Sequence, residues 1–289
     1  MREETMSVFD TFAKKREFLV CVDSDGCAMD TMNCKHIHCF GPCMVEEWNL
    51  GEWKEGILAR WNDINLFLMT RGINRFKGLA MALEEIDKQY TPIAGIEALC
   101  HWAETTKALS NDALKEAIEA QPAGEGRICL EKALSWSNAV NKSIVALPEE
   151  LKVPFEGARE GLEAAHRFAD VAVVSSANRG AVDEEWTTHG LYDHVDIVLA
   201  QDCGSKAHCI GEMLKFGYGP DHVLMVGDAP GDCDAAESNG VFYYPILVNR
   251  EKESWEELRT AALARLQSNT YGGEYQQEKK SAFLKNLGG

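Results

Sequence analysis

Five short apolar runs, at residues 18–23, 171–175, 195–199, 223–227 and 241–246, constrain this chain more than anything else in it. Most are valine-rich, as in FLVCVD, VAVVS and VLMVG, and they lack the strict alternation of a strand with one wet face. Strands covered on both faces read this way, and such strands belong to parallel sheets flanked by helices. Segments of helical character accompany the last four runs, at 155–168, 181–189, 206–216 and 232–239. Strand and helix in alternation predict an α/β protein, a doubly wound and mostly parallel sheet of Rossmann type.

The first run stands apart from the other four. Almost no strand signal lies between Asp25 and Val171; the stretch reads as helices at 44–48, 53–69, 75–86, 95–106, 111–120 and 130–140, with a break at 122–126. Leu147-Pro148 and Val153-Pro154 mark the return to the α/β part. An all-helical domain inserted after the first strand is therefore expected, with residues 1–33 and 151–289 forming the core and 34–150 the insertion. Residues 251–266 suit a closing helix, and those after Ser268 read as polar and peripheral.

Composition narrows the function classes. The net charge of −17, from 46 acidic against 29 basic residues, sets the chain against nucleic acid and anionic membranes, which would repel it. No run of about 18 apolar residues suggests a transmembrane helix, and the charged start MREETMSVFD has no apolar centre of the signal-peptide kind. The ten cysteines are scattered and read as reduced thiols. A soluble cytoplasmic protein is the expectation; nothing in the sequence speaks to its oligomeric state.

The polar residues that end these runs are the chemically informative ones. In an open α/β sheet ligands bind beyond the carboxyl ends of the strands. The first run ends in Asp23 and Asp25, the second in Ser175 and Ser176, and the fourth in Asp228 with Asp232 a helical turn later; Lys206 follows the third. Parallel strands gather these side chains at one edge. Clustered carboxylates repel one another, so a divalent cation is the natural compensation, and oxygen-only donors favour magnesium, which prefers phosphate-bearing substrates. A hydroxyl and an ammonium beside the cation suit phosphate oxygens. One carboxylate can then attack phosphorus while a second moves protons.

Four pieces, VCVDSDGC, VAVVSS, GSKAH and VLMVGDAPGDCDAA, resemble the motifs of the haloacid dehalogenase (HAD) superfamily in their order and spacing. The resemblance covers residues 18–27 and about 155–246. It implies Asp23 as nucleophile, Asp25 as general acid and base, and Ser175 (with Ser176 as the alternate) and Lys206 as holders of the phosphoryl group. It also implies Asp228, Asp23 and the backbone carbonyl of Asp25 as the hold on Mg2+, with Asp232 in support, and the helical insertion as a cap. Cys27 stands where the family commonly has Thr or Val. An acid at Asp25 is similar to the family's phosphate-cleaving members rather than its dehalogenases or phosphonate-cleaving members. A phosphatase acting on a small phosphorylated metabolite is expected, with a phosphomutase or a non-catalytic phosphometabolite-binding protein as alternatives.

Two further stretches bear on substrate. Cys34, His36, His38, Cys39 and Cys43 have the density of zinc ligands, but their spacing matches no knuckle pair, and packing is the plainer reading. His36 or His38 could touch substrate. The run Thr70-Arg71-Gly72-Ile73-Asn74-Arg75-Phe76-Lys77 is locally basic in an acidic protein, so Arg71, Arg75 and Lys77 either bind an anionic substrate or form a solvated face. Trp48, Trp53, Trp61, Trp102 and Trp136 read as the insertion's own core.

Overall fold

The computed structural model describes residues 7–289. It divides into two compact units, one made by the chain up to Met32 with Glu149–Gly289, the other by Asn33–Pro148.

In the first unit β1 (Phe18–Val22), β2 (Ala169–Val174), β3 (Ile197–Leu199), β4 (Val223–Gly227) and β5 (Phe242–Pro245) form one sheet. All pairs are parallel and the order is β3-β2-β1-β4-β5, the doubly wound α/β arrangement that the valine-rich runs predict. The chain builds outward from β1 through β2 to β3, then crosses to the other side of β1 for β4 and β5. Connections therefore diverge between β1 and β4, and such a switch point leaves a crevice at the carboxyl ends of the strands. Val22 pairs with Val173 on one side and Val226 on the other, so β1, β2 and β4 end at one level. β2 and β4 are buried along their whole length. Trp186, Trp255, Leu162 and Tyr271 belong to the core that covers the sheet.

β3 is shorter than the run 195–199 suggests. Asp196 Oδ2 accepts the Val171 N–H at 2.9 Å, so a side chain takes the donor that a longer β3 would use in the ladder.

The chain beyond Ser268 is not peripheral, contrary to expectation. Tyr271 is fully buried, and its hydroxyl donates to the Tyr243 carbonyl of β5 at 2.7 Å. The helix Glu274–Asn286 follows, with Phe283 edge-to-face on Tyr243. Its buried anchors, Tyr271, Phe283 and Leu287, are too widely spaced for hydrophobic periodicity to reveal them.

The second unit is helical: Gly41–Glu47, Lys54–Asn62, Arg75–Gln89, Ile96–Thr105, Asn111–Ala120 and Glu125–Val145. The helix read at 44–48 starts earlier, because a helical path runs from Met32–Lys35 through His36–Phe40 into Gly41–Glu47. A wider turn at His36–Phe40, closed by the Gly41 N–H on the His36 carbonyl, precedes the proline, which has no N–H to give. Trp48, Trp61, Trp102 and Trp136 are buried in this unit's core with Phe76, and Trp53 packs against it. Trp61 and Trp136 meet edge-to-face. All ten cysteines are free thiols.

Candidate active site

The site forms where β1 and β4 end. Past Val22 the Asp23 N–H still reaches across to the Val226 carbonyl at 3.0 Å, so Asp23 is held against β4 and is buried. The chain then turns sharply. Amides of Cys27, Ala28 and Met29 converge on the Ser24 carbonyl at 3.2, 3.0 and 2.9 Å. Gly26 takes φ +86°, a left-handed conformation that glycine adopts without strain. Ser24 Oγ meets the Trp186 indole N–H, whereas Asp23 meets Lys206 and Asp25 meets Thr31. Ser24 is fully buried and Asp25 is half-buried, its Oδ1 accepting the Thr31 hydroxyl at 2.6 Å.

The next strand places Asp228 directly after Gly227, fully buried, and starts the helix Pro230–Ser238 with Asp232 in its first turn. Asp232 Oδ2 accepts the N–H groups of Asp228 at 3.1 Å and Ala229 at 3.0 Å, which satisfies donors that a helix start leaves open. A Cβ on Gly227 would stand 2.3 Å from Asp232 Cγ, so this close approach requires glycine. The Tyr243 hydroxyl donates to the Gly227 carbonyl at 3.0 Å and steadies the end of β4 from the neighbouring strand.

Lys206 opens the helix Lys206–Leu214 behind the Ser205 cap. Its Nζ lies 2.8 Å from Asp23 Oδ1 and 2.5 Å from Asp232 Oδ1. The carboxylates of Asp23, Asp228 and Asp232 each offer an oxygen within 4.8 Å of the others, the single such metal-capable set among the described residues. Burial pushes the Asp23 carboxyl well above its usual range; the Lys206 ammonium opposes this, while Asp232 and Asp228 add to it. For Lys206, burial alone would lower the ammonium, but Asp23 and Asp232 outweigh it and raise it. Three buried carboxylates gather here with Lys206 between two of them, and like charges held in low dielectric are costly unless something compensates them. The set is all oxygen and matches the donors a hard divalent cation takes.

Ser175 follows Val174 at the end of β2, beside β1, and is buried; its N–H donates to the Leu199 carbonyl at 2.9 Å and its Oγ accepts the Ala177 N–H at 3.1 Å. Ser176 is exposed.

His36, Arg71, Arg75 and Lys77 all lie in the helical unit. Arg71 is buried, its Nη1 donating to the Leu66 carbonyl, so the basic run is not one solvated face. Arg75 donates to Asn141 Oδ1 at 2.7 Å and Ser137 Oγ at 3.3 Å, and its guanidinium sits 4.9 Å from the centre of the Phe40 ring. No carboxylate pairs with it among the described residues, and burial lowers its pKa. Lys77 is exposed. His36 stacks on Phe40 with ring centres 4.5 Å apart. Cys34 and Cys39 are buried against Leu147.

Sequence reasoning passes over Thr31, Trp186 and Tyr243. Each reaches the site from a distant position or through a backbone atom, and only Thr31, six residues after Asp25, leaves even a local trace.

The sequence matches the family model described as haloacid dehalogenase-like hydrolase over residues 101–245. Among curated proteins it finds no match. A haloacid dehalogenase-like family hydrolase from Xanthomonas campestris is 13% identical, with a TM-score of 0.48 over 89% of this chain and 97% of that one. A Lactobacillus delbrueckii subsp. bulgaricus protein, provisionally named a phosphoglycolate phosphatase, is 14% identical at 0.48, covering 93% and 99%. A haloacid dehalogenase-like hydrolase from Streptococcus pneumoniae is 12% identical at 0.44, covering 84% and 91%. The assignment rests on the family match, which spans half of the sequence and takes in β2 through β5 with Ser175, Lys206, Asp228 and Asp232. This chain belongs to the haloacid dehalogenase-like hydrolases, and is an enzyme.

Proposed function

We propose that this enzyme is a magnesium-dependent phosphatase, which passes a phosphoryl group from a small phosphorylated metabolite to Asp23 and then to water. One observation carries the reading: the buried carboxylates of Asp23, Asp228 and Asp232 offer oxygens within 4.8 Å of one another, with Lys206 paired to Asp23 and Asp232. Asp23, Asp228 and the backbone carbonyl of Asp25 would hold Mg2+. When bound, the cation offsets the charge of the carboxylates and of the transferring phosphoryl group. Asp232 keeps its oxygens on Lys206 and two amides, and serves as support.

The residues divide the work as follows. Asp23 attacks phosphorus as the bond to the ester oxygen breaks, giving an aspartyl-phosphate. Asp25, held by the Thr31 hydroxyl, gives the leaving oxygen its proton, then takes one from the water that attacks phosphorus and frees Asp23. Lys206 and the buried Ser175 are placed for the phosphoryl oxygens; exposed Ser176 is the weaker candidate. We assign substrate choice to residues 34–150 acting as a cap. Of His36, Arg71, Arg75 and Lys77, Arg75 best suits an anionic group, because no carboxylate answers its charge. The net charge of −17 supports a small-molecule substrate and a cytoplasmic setting. Among the described residues no helix is long and apolar enough to cross a membrane.

The test is release of phosphate from an aryl phosphate with and without Mg2+, followed by a panel of phosphorylated metabolites. Activity that needs Mg2+ and vanishes in Asp23→Asn is expected. Activity that persists in Asp23→Asn ends the nucleophile assignment. Interconversion of phosphate isomers, dependent on a bisphosphate activator, makes the enzyme a mutase instead.

A further inference from the structure

The loop that bears Asp23 and Asp25 is gripped from its buried side. Ser24, between the two carboxylates, is fully buried, and its Oγ accepts the indole N–H of Trp186 at 2.8 Å. Trp186 is itself fully buried, on the helix Arg179–Thr188 that starts just past Ser175. A second indole, Trp255 Nε1, donates to the Cys27 carbonyl at 3.0 Å from the helix Glu251–Glu257. Trp255 is in turn packed so closely on Gly161 that a Cβ there would lie 2.5 Å from its ring.

An apolar residue at position 24 would satisfy burial equally well. It would also strand the Trp186 N–H in a dry interior, at a cost comparable to a lost hydrogen bond. The Ser24–Trp186 bond therefore does something packing alone does not: it fixes the height and rotation of the turn that also carries Asp23 and Asp25. Because Asp23 is a hydrogen bond away from Lys206, a small shift of this turn changes the geometry of the reacting groups. It also ties the Asp23 turn to the helix that follows Ser175, so the two sides of the phosphoryl position move as one body.

We propose that Trp186 is a positioning residue of this enzyme, which through Ser24 Oγ sets the placement of the Asp23 and Asp25 carboxylates. The inference rests on the roles proposed above for those two aspartates.

Three variants test it: Trp186→Phe, Ser24→Ala, and the two combined. Each single change leaves a polar group buried without its partner, whereas the double variant removes both, so thermal stability in the double variant recovers relative to the sum of the single changes. Positioning predicts that kcat on an aryl phosphate falls about tenfold in all three while KM stays within about twofold, since misplacement costs rate more than binding. It also predicts faster amide hydrogen exchange over residues 23–29 in all three. If kcat and exchange return to wild-type values in the double variant along with stability, the role is structural only and the proposal is overturned. Unchanged kcat in the single variants overturns it equally. Should the wild-type protein hydrolyse no phosphate ester, the phosphatase reading fails by itself. The exchange measurement then decides the anchoring: faster exchange in the double variant supports it, and wild-type exchange overturns it.

Discussion

Lys206 Nζ lies 2.8 Å from Asp23 Oδ1, the carboxylate buried and the lysine partly so, at the end of the sheet where connections diverge. With Asp232 on the lysine's other side, the ammonium is paired with two buried carboxylates at once. Its removal costs twice over, in catalysis and in folding. For Lys206→Met we expect kcat on an aryl phosphate to fall about 100- to 1000-fold, the cost of losing one donor aimed at developing charge. Leaving its partners buried and unpaired also removes about 3–5 kcal/mol of stability. A kcat within tenfold of wild type would remove Lys206 from the phosphoryl site.

The two serines after β2 separate by burial. Ser175 is buried at the strand end whereas Ser176 faces solvent. Ser175→Ala is expected to lower kcat/KM about 100-fold and Ser176→Ala less than about threefold, on the usual worth of one phosphoryl-oxygen donor. Steady-state kinetics on the two variants decides between them, and the reverse ranking would transfer the role to Ser176.

Gly227 is required by a neighbour, not by its own backbone. A methyl group there would stand 2.3 Å from Asp232 Cγ, inside a fully buried contact. Gly227→Ala should cost about 1–3 kcal/mol through overpacking. It should also lower activity, because Asp232 cannot yield without releasing Lys206 and the Asp228 amide. Denaturant unfolding combined with kinetics reports both effects.

Asp196 supplies a pH signature far from the chemistry. Burial works to raise its carboxyl, but hydrogen bonds from Lys15 and the Val171 amide, with His166 nearby, hold it below its ordinary 3.8. A depressed acid contributes stability at pH values above its unfolded pKa and loses it as pH falls through the folded one. Asp196→Asn should therefore be about 1–2 kcal/mol less stable at neutral pH, the worth of charge-assisted hydrogen bonds. The difference from wild type should begin to shrink at about pH 4 and close only as pH falls through the folded pKa, which lies below 3.8. Urea unfolding in steps from pH 7 down to about pH 2 measures it; a difference that stays equal over the whole range would show that the charge is irrelevant.

Much of the fold was legible because burial on both faces writes itself directly into sequence. Runs such as VAVVS and VLMVG can be satisfied only inside a covered parallel sheet, and the polar residue that ends each one marks where the chain leaves the core. The helices between them were legible from periodicity, with errors at their ends: the helix read at 44–48 runs from Gly41 to Glu47 and continues a helical path that begins at Met32. The last helix escaped notice because Tyr271, Phe283 and Leu287 are single apolar residues in a polar stretch, buried only because β5 offers Tyr243 to pack against.

By itself, the sequence determined the elements, the class of sheet and the residue types at the strand ends, because those follow from local periodicity and from the cost of burying polar groups. Tertiary structure alone decided which strands became neighbours. It set β1 between β2 and β4, and so put Asp23 within hydrogen-bonding reach of Lys206, 183 positions along the chain by their numbers, and among Asp228 and Asp232. It also chose Trp186 to hold Ser24. Such pairings are settled by the global packing of helices on the sheet, where a partner is selected by position in space and leaves no periodic trace in the chain that supplies it.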